Sequence, residues 1–177
     1  DALFKVAAIF TEHQQVEWIT GIPTEWNRQG EAIERQNYQL PWSRKLLLEK
    51  QNVRDNPQLQ HLWIQQESTF WKKSLWEKAG AKLEIDLQYA GDFELWLRFS
   101  RYAPLYRVQA LIGGFRVYDN QRSQLYKEQY FKEVEQVTTS ELQLIQQGLY
   151  KTENPAPEIL TINEEKIINL KEKAKSL

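Results

Sequence analysis

The chain has no cysteine and no methionine, and only two histidines, among 177 residues. The missing cysteines rule out disulfides, zinc–thiolate centres and a thiol nucleophile. His13 and His61 sit in dissimilar surroundings, outside any HxxxH or HExxH spacing, so a histidine metal site has no support. Charge of one sign is also missing: 23 basic side chains face 24 acidic ones, for a net charge of −1. That balance removes the long-range attraction on which a nucleic-acid binder depends. No apolar run approaches the ~20 residues of a membrane span, and no signal-peptide pattern opens the chain. GxSxG, P-loop and GxGxxG motifs are absent too. The expected location is the cytoplasm, including the inner face of the membrane. The lack of methionine and the abrupt opening DALFKVAAIF are what a piece of a longer polypeptide would show, and equally a small methionine-free protein with its start residue removed.

What is present is an ordinary globular composition, 41% apolar and 27% charged, long enough for one core. Residues 2–13 place Leu3, Val6, Ala7 and Phe10 on one helical stripe, with Asp1 as N-cap. Residues 16–20 (VEWIT) read as a strand stopped by Gly21 and Pro23, and 27–30 as a turn between two extended arms. Pro41 suits the first position of a helix running to about Lys50, followed by a polar loop over 52–60. The aromatic stretch 63–71 (WIQQESTFW) reads as extended, and 74–79 as a short helix closed by Gly80 at C′. Strands are expected within 105–110 and 111–123, and a long helix over 124–147 carrying Tyr126, Tyr130, Val134, Val137, Leu142 and Ile145. The expected fold class is α/β, a mixed sheet flanked by helices. Residues 1–150 form the main domain, and 151–177 a linker with a C-terminal amphipathic helix that is either docked or frayed. Trp26, Trp42, Trp63, Trp71, Trp76 and Trp96 all fall in apolar patterns and are expected mostly in the core.

Three groups of residues could carry chemistry. The first is Asp92 in 88–101 (QYAGDFELWLRFSR), at the mouth of an apolar helix behind Gly91. A carboxylate there can accept a proton from a hydroxyl, or it can simply cap the helix. Glu94 is placed to pair with Arg98 at i+4. The second group is Gln65, Gln66 and Glu67 flanked by Trp63, Phe70 and Trp71; amides and carboxylates beside aromatic faces suit sugar recognition, and equally suit a strand with one wet face. The third is Arg116 and Arg122, flanking Asn120 and Gln121 behind Gly113 and Gly114. Guanidinium groups there suit a diphosphate, or a solvated turn.

In order and spacing, WIQQESTFWKKSLWEKAG, YAGDFELWLRFSRYAPLY and GGFRVYDNQRS resemble the acceptor-side half of a family 2 glycosyltransferase with the GT-A fold. The resemblance covers roughly residues 1–135, with 63–123 as the specific part. It implies a partial GT-A-like fold over 1–150 that transfers a sugar from a nucleotide-sugar donor to a hydroxyl of a glycan or lipid-linked acceptor, with inversion. Gly91–Asp92 then matches the family's Glu–Asp motif, which makes Asp92 the general base, with Gly91 standing where the Glu would be. Phe115–Arg116 matches the FR element. Gln66, Glu67 and Trp71 fall near the sugar or acceptor, and Arg116 and Arg122 near the leaving diphosphate. The nucleotide-binding half and the acidic motif that holds Mg²⁺ or Mn²⁺ precede this region in the family, so this chain alone is expected to be inactive. The alternatives are a non-catalytic carbohydrate-binding or interaction module with a degenerate form of the same fold and, if 63–71 is helical, a helical scaffold.

Overall fold

The computed structural model of the chain describes residues 1–35, 42–50, 64–154, 157 and 159–175. The architecture is mixed α/β: two small mixed sheets flanked by helices. Strands β1 (Trp18–Thr20) and β2 (Thr24–Trp26) form one bent ribbon, interrupted at 21–23. β5 (Tyr106–Arg107) and β6 (Phe115–Arg116) run parallel beside them, β5 along β1 and β6 along β2. On the other side β4 (Thr69–Trp71) pairs antiparallel with β1, and β3 (Ala32–Arg35) pairs antiparallel with β2 across a bulge. The sheet orders are therefore β4-β1-β5 and β3-β2-β6.

All three β1 residues are buried, as a strand covered on both faces requires. Trp18 faces the larger core, stacked 5.7 Å from Trp96 and meeting Phe99 edge-on at 5.5 Å, while its indole N–H donates to Ala103 O at 3.0 Å. Ile19 faces a second core made by Val6, Ile9, Val16, Val108, Ile112 and Leu160.

α4 (Gly91–Ser100) fills the larger core: Phe93 and every residue from Leu95 to Ser100 are buried. α2 (Arg44–Leu48) and α6 (Lys127–Gln146) pack against it. α3 (Lys73–Lys78) ends at Gly80, whose φ of +94° is the left-handed conformation expected at C′. α5 (Arg122–Leu125) is a separate turn ahead of α6, so the single helix expected from residue 124 is broken at Tyr126. α7 (Glu164–Lys175) docks on α1 (Ala2–Glu12), and Leu160 bridges to Val108 beside β5, so the C-terminal segment is docked where described. No described helix is long and apolar enough to cross a membrane.

Several expectations are corrected. The buried stripe of α1 is Val6, Ala8 and Ile9, while Leu3 is 72% exposed and Ala7 is also outside, because the covering surface comes from the distant C-terminal segment. Asp1 stands at the N-cap of α1 as expected, but its side chain makes no capping bond and pairs with Lys171 at 2.6 Å. α2 starts at Arg44 with Ser43 as N-cap, its hydroxyl accepting from Leu46 N–H at 3.3 Å. Pro41, Trp63 and the loop expected over 52–60 lie outside the described residues. Only 69–71 of the stretch 63–71 is a strand; Gln66–Ser68 form a 3-10 turn. Trp18, Trp42 and Trp96 are fully buried, whereas Trp26, Trp71 and Trp76 keep part of their surface open.

On α6 the buried positions are Val134, Thr138 and Glu141, and Leu142 faces out. Glu141 lies inside because two arginines meet it there. Arg44 Nη2 donates to Oε1, and Arg101 reaches both oxygens, at 2.5 Å from Nη2 to Oε2. Arg44 is 2% exposed and also donates to Lys151 O, Leu97 O and Ser100 Oγ. Burial pushes the Glu141 pKa up, but the bonds from Arg101 and Arg44 outweigh it and hold the carboxyl below the ordinary glutamate value. The unfolded chain therefore binds this proton more readily. The contribution to stability is complete above the ordinary glutamate pKa and is lost as pH falls through the lower folded value. Glu141→Ala, which leaves Arg44 buried with its charge uncompensated, should cost roughly 3–5 kcal/mol in urea unfolding at neutral pH. Its deficit against wild type should shrink as pH falls below about 4. A loss under about 0.5 kcal/mol, the level of an ordinary surface substitution, would remove the network from the account.

Candidate functional site

The first turn of α4 opens where the ribbon and the loop behind it converge. Gly113 lies so close to the Gln66–Ser68 turn that a Cβ there would come 1.9 Å from Glu67 O, and a Cβ on Gly114 would come 2.0 Å from the Trp26 indole nitrogen. The two glycines thus let the segment ahead of β6 press against the backbone that carries Glu67. Gln65 holds the same turn from the other side. Its fully buried amide accepts from Thr24 N–H at 3.1 Å and donates to Thr24 O at 2.9 Å, continuing the β1–β4 ladder with a side chain. That leaves Gln65 committed to the fold, while Gln66 and Glu67 face outward.

Asp92 occupies the second helical position, not the N-cap, which is Ala90. Its Oδ1 accepts from Phe93 N–H at 2.8 Å, so the carboxylate satisfies one donor of the first turn. Asp92 is half-buried. Burial pushes its pKa up, hydrogen bonds from the Phe93 and Asp92 N–H groups pull it down, and the charge on Glu67 pushes it up again; the net direction is upward. A helix N-terminus alone would have kept this carboxylate ordinarily acidic; crowding reverses that and makes it a stronger base. A Cβ on Gly91 would meet nothing within 4 Å, so the helix mouth is open at Gly91.

The remaining candidates divide. Arg122 Nη2 donates to Gln88 O at 3.0 Å and its guanidinium lies 4.9 Å from the centre of the Tyr89 ring, which places it on the turn that leads into Asp92. Arg116 turns elsewhere: it is exposed and donates to Arg28 O at 3.3 Å, beside the Arg28–Asp119 pair. Trp71, 36% exposed, meets Trp96 and Phe99 edge-on at 5.7 and 5.5 Å, so its ring packs on the later turns of α4 rather than on the first. The structure brings Asp92 and Glu67 close enough for their charges to interact, with Gln66 on the same turn as Glu67, places Arg122 on the turn ahead of Asp92, and leaves Trp71 and Arg116 elsewhere. Glu94 and Arg98 form the expected i,i+4 pair, at 2.7 and 2.8 Å, and Arg98 also donates to Ala79 O and Lys82 O.

No family model matches the chain, and no curated protein matches it. The site is therefore read from its own geometry. Sequence reasoning did not find Glu133, which accepts from three backbone N–H groups of residues 88–90. Spacing carries no signal for a partner more than forty positions away. Among the described residues no three His, Cys, Asp or Glu side chains gather as a metal site, so the ion implied by the resemblance finds no complete ligand set here. The chemistry available is proton acceptance by a crowded carboxylate at an open helix mouth, under the charge of a second carboxylate.

Two outcomes follow from this packing. Gly113→Ala should cost roughly 1–3 kcal/mol, since backbone must move, whereas Gly91→Ala should gain about 0.5–1 kcal/mol in denaturant unfolding; equal effects would contradict the described contact. Because the Asp92 pKa is raised on folding, the stability it confers is present below the ordinary aspartate value and is lost as pH rises through the folded one. Asp92→Asn keeps an oxygen for Phe93 N–H and should gain in Tm relative to wild type as pH rises from 4 to 7. A gap that closes with rising pH would show that burial does not dominate.

Proposed function

We propose that this chain is the acceptor-side half of an inverting, GT-A-type family 2 glycosyltransferase, with Asp92 as its general base. The observation that carries the reading is Asp92 itself: a carboxylate with an upward-shifted pKa, at the open mouth of a buried helix, with the charge of Glu67 acting on it. In the proposed step Asp92 takes the proton of an acceptor hydroxyl as that oxygen bonds to the anomeric carbon of the donor sugar. The bond from that carbon to the diphosphate breaks, and its electron pair leaves with the nucleoside diphosphate. Inversion follows from attack opposite the leaving group. Glu67 and Gln66, outward on their turn, are in place to accept from and donate to sugar hydroxyls. Arg122 offers positive charge on the turn ahead of Asp92. Mg²⁺ or Mn²⁺, held by residues outside this chain, would neutralise the diphosphate, and no step here passes through it. The donor-binding half precedes this region in the resembling family, so activity belongs to the polypeptide that contains both halves.

One observation favours a second reading, a non-catalytic carbohydrate-binding module. Trp71 and Arg116 do not converge on Asp92, and Arg122 is already engaged by Gln88 O and Tyr89. One assay separates the two readings. In the polypeptide containing both halves, Asp92→Asn should slow nucleoside diphosphate release from a panel of UDP-, GDP- and dTDP-sugars, assayed with Mn²⁺ and a detergent-solubilised glycolipid extract. The expected loss is about 10²–10⁴-fold, the usual contribution of a general base. Turnover at the wild-type rate in a folded Asp92→Asn protein would remove the base assignment, and absence of turnover in the wild-type polypeptide would leave the binding module.

A further inference from the structure

The turn ahead of α4 aims three consecutive backbone N–H groups at one carboxylate. Gln88 N–H donates to Glu133 Oε1 at 2.9 Å, and Tyr89 and Ala90 N–H both donate to Oε2 at 2.8 Å. Ala90 is the N-cap of α4 and has no side-chain cap of its own, so a carboxylate from α6 binds the cap position instead. Burial pushes the Glu133 pKa up, but the bonds from Gln88, Ala90 and Tyr89, and the charge of Arg122, outweigh it and keep Glu133 ionised. Arg122 closes the same turn from α5 through Gln88 O, and its guanidinium lies over Tyr89, whose ring in turn packs 5.1 Å from Tyr126. The backbone is therefore clamped at three successive residues, two positions before Asp92.

We infer that Glu133 is a positioning residue for Asp92: by fixing the 88–90 turn from α6 it sets where the Asp92 carboxylate stands relative to Glu67 and the open space at Gly91. The inference rests on the reading of Asp92 as the base. Charge-assisted bonds to a carboxylate are the stronger class of hydrogen bond, and three of them sharing one acceptor group leave the turn little freedom. Precision matters because a misplacement of about 1 Å can cost about 10²-fold in rate.

The test is Glu133→Gln in this chain, which keeps one oxygen but sets an NH2 donor against at least one of the three N–H groups. Amide hydrogen exchange should accelerate about tenfold or more at Gln88, Tyr89 and Ala90 and stay at the wild-type rate at Leu97 and Phe99. The Asp92 carboxyl, followed by ¹³C NMR with Glu67 as its charged neighbour, should titrate nearer the ordinary aspartate value as water reaches the loosened turn. In the transferring polypeptide kcat should fall about 10–10²-fold with KM for the donor sugar unchanged. Unchanged exchange and titration, or acceleration spread evenly over α4, would overturn the inference. If the Gln variant does not fold, Glu133→Asp, which keeps the charge on a shorter arm, gives the same contrast: acceleration confined to 88–90 supports the role, and uniform acceleration contradicts it. Exchange and titration do not measure sugar transfer, so failure of the catalytic reading appears separately, as wild-type turnover by Asp92→Asn.

Discussion

Keeping α4 inside the molecule is the constraint on which the described structure depends. A helix buried at Phe93 and from Leu95 to Ser100 has no wet face to which its polar groups can turn, and unpaired polar atoms in such a place are costly. Neighbouring segments therefore supply partners to several of them, while the Trp96 indole N–H stays buried without one among the described residues. Glu94, with Ala79 O and Lys82 O from the end of α3, surrounds the Arg98 guanidinium. Arg44 of α2 donates to Leu97 O and Ser100 Oγ near the C-terminal end, and Glu141 of α6 receives both Arg44 and Arg101. A little over two turns earlier on α6, Glu133 receives the N–H groups at the helix mouth. Asp92 stands at the same mouth, its Oδ1 taken by Phe93 N–H and the space at Gly91 open.

Close backbone approach, beside the buried Trp18, builds the ribbon near the Glu67 turn. Gly113 and Gly114 let the segment ahead of β6 lie against the Glu67 turn and Trp26, and Gln65 lends its amide to extend the ladder to Thr24. The consequence is electrostatic. Burial raises the cost of ionising Asp92, and the Glu67 charge on this turn adds to it in the same direction. Local structure, packing and proton affinity are thus linked through the backbone of three short segments.

Much of this was legible from local pattern. A strand within 16–20, the turn at 27–30, the C′ glycine at residue 80 and the Glu94–Arg98 pair follow from spacing and residue type. What was not legible is whatever depends on contacts distant in the chain. Glu141 and Glu133 look like solvated helix positions until Arg44, Arg101 and the 88–90 turn arrive from elsewhere. The α1 stripe was misplaced because the surface covering it comes from the C-terminal segment. Trp71, an aromatic beside polar residues, invites a ligand; with Trp18 as its cross-strand neighbour, its ring is drawn against Trp96 and Phe99. Pattern located Asp92 at the helix mouth, but only the fold shows that crowding, more than the helix terminus, sets its proton affinity.

The central claim is that Asp92 acts as a base whose affinity for a proton has been raised by its surroundings. Under the proposed function, the most direct measurement is the pH dependence of kcat/KM for sugar transfer by a polypeptide that joins this chain to a donor-binding half. The account predicts an acidic limb, with activity rising through an apparent pKa above the ordinary aspartate value of about 3.9, and loss of that limb with the activity itself in Asp92→Asn. A rate independent of pH down to the acid limit of folding, or an acidic limb that survives in Asp92→Asn, would contradict it.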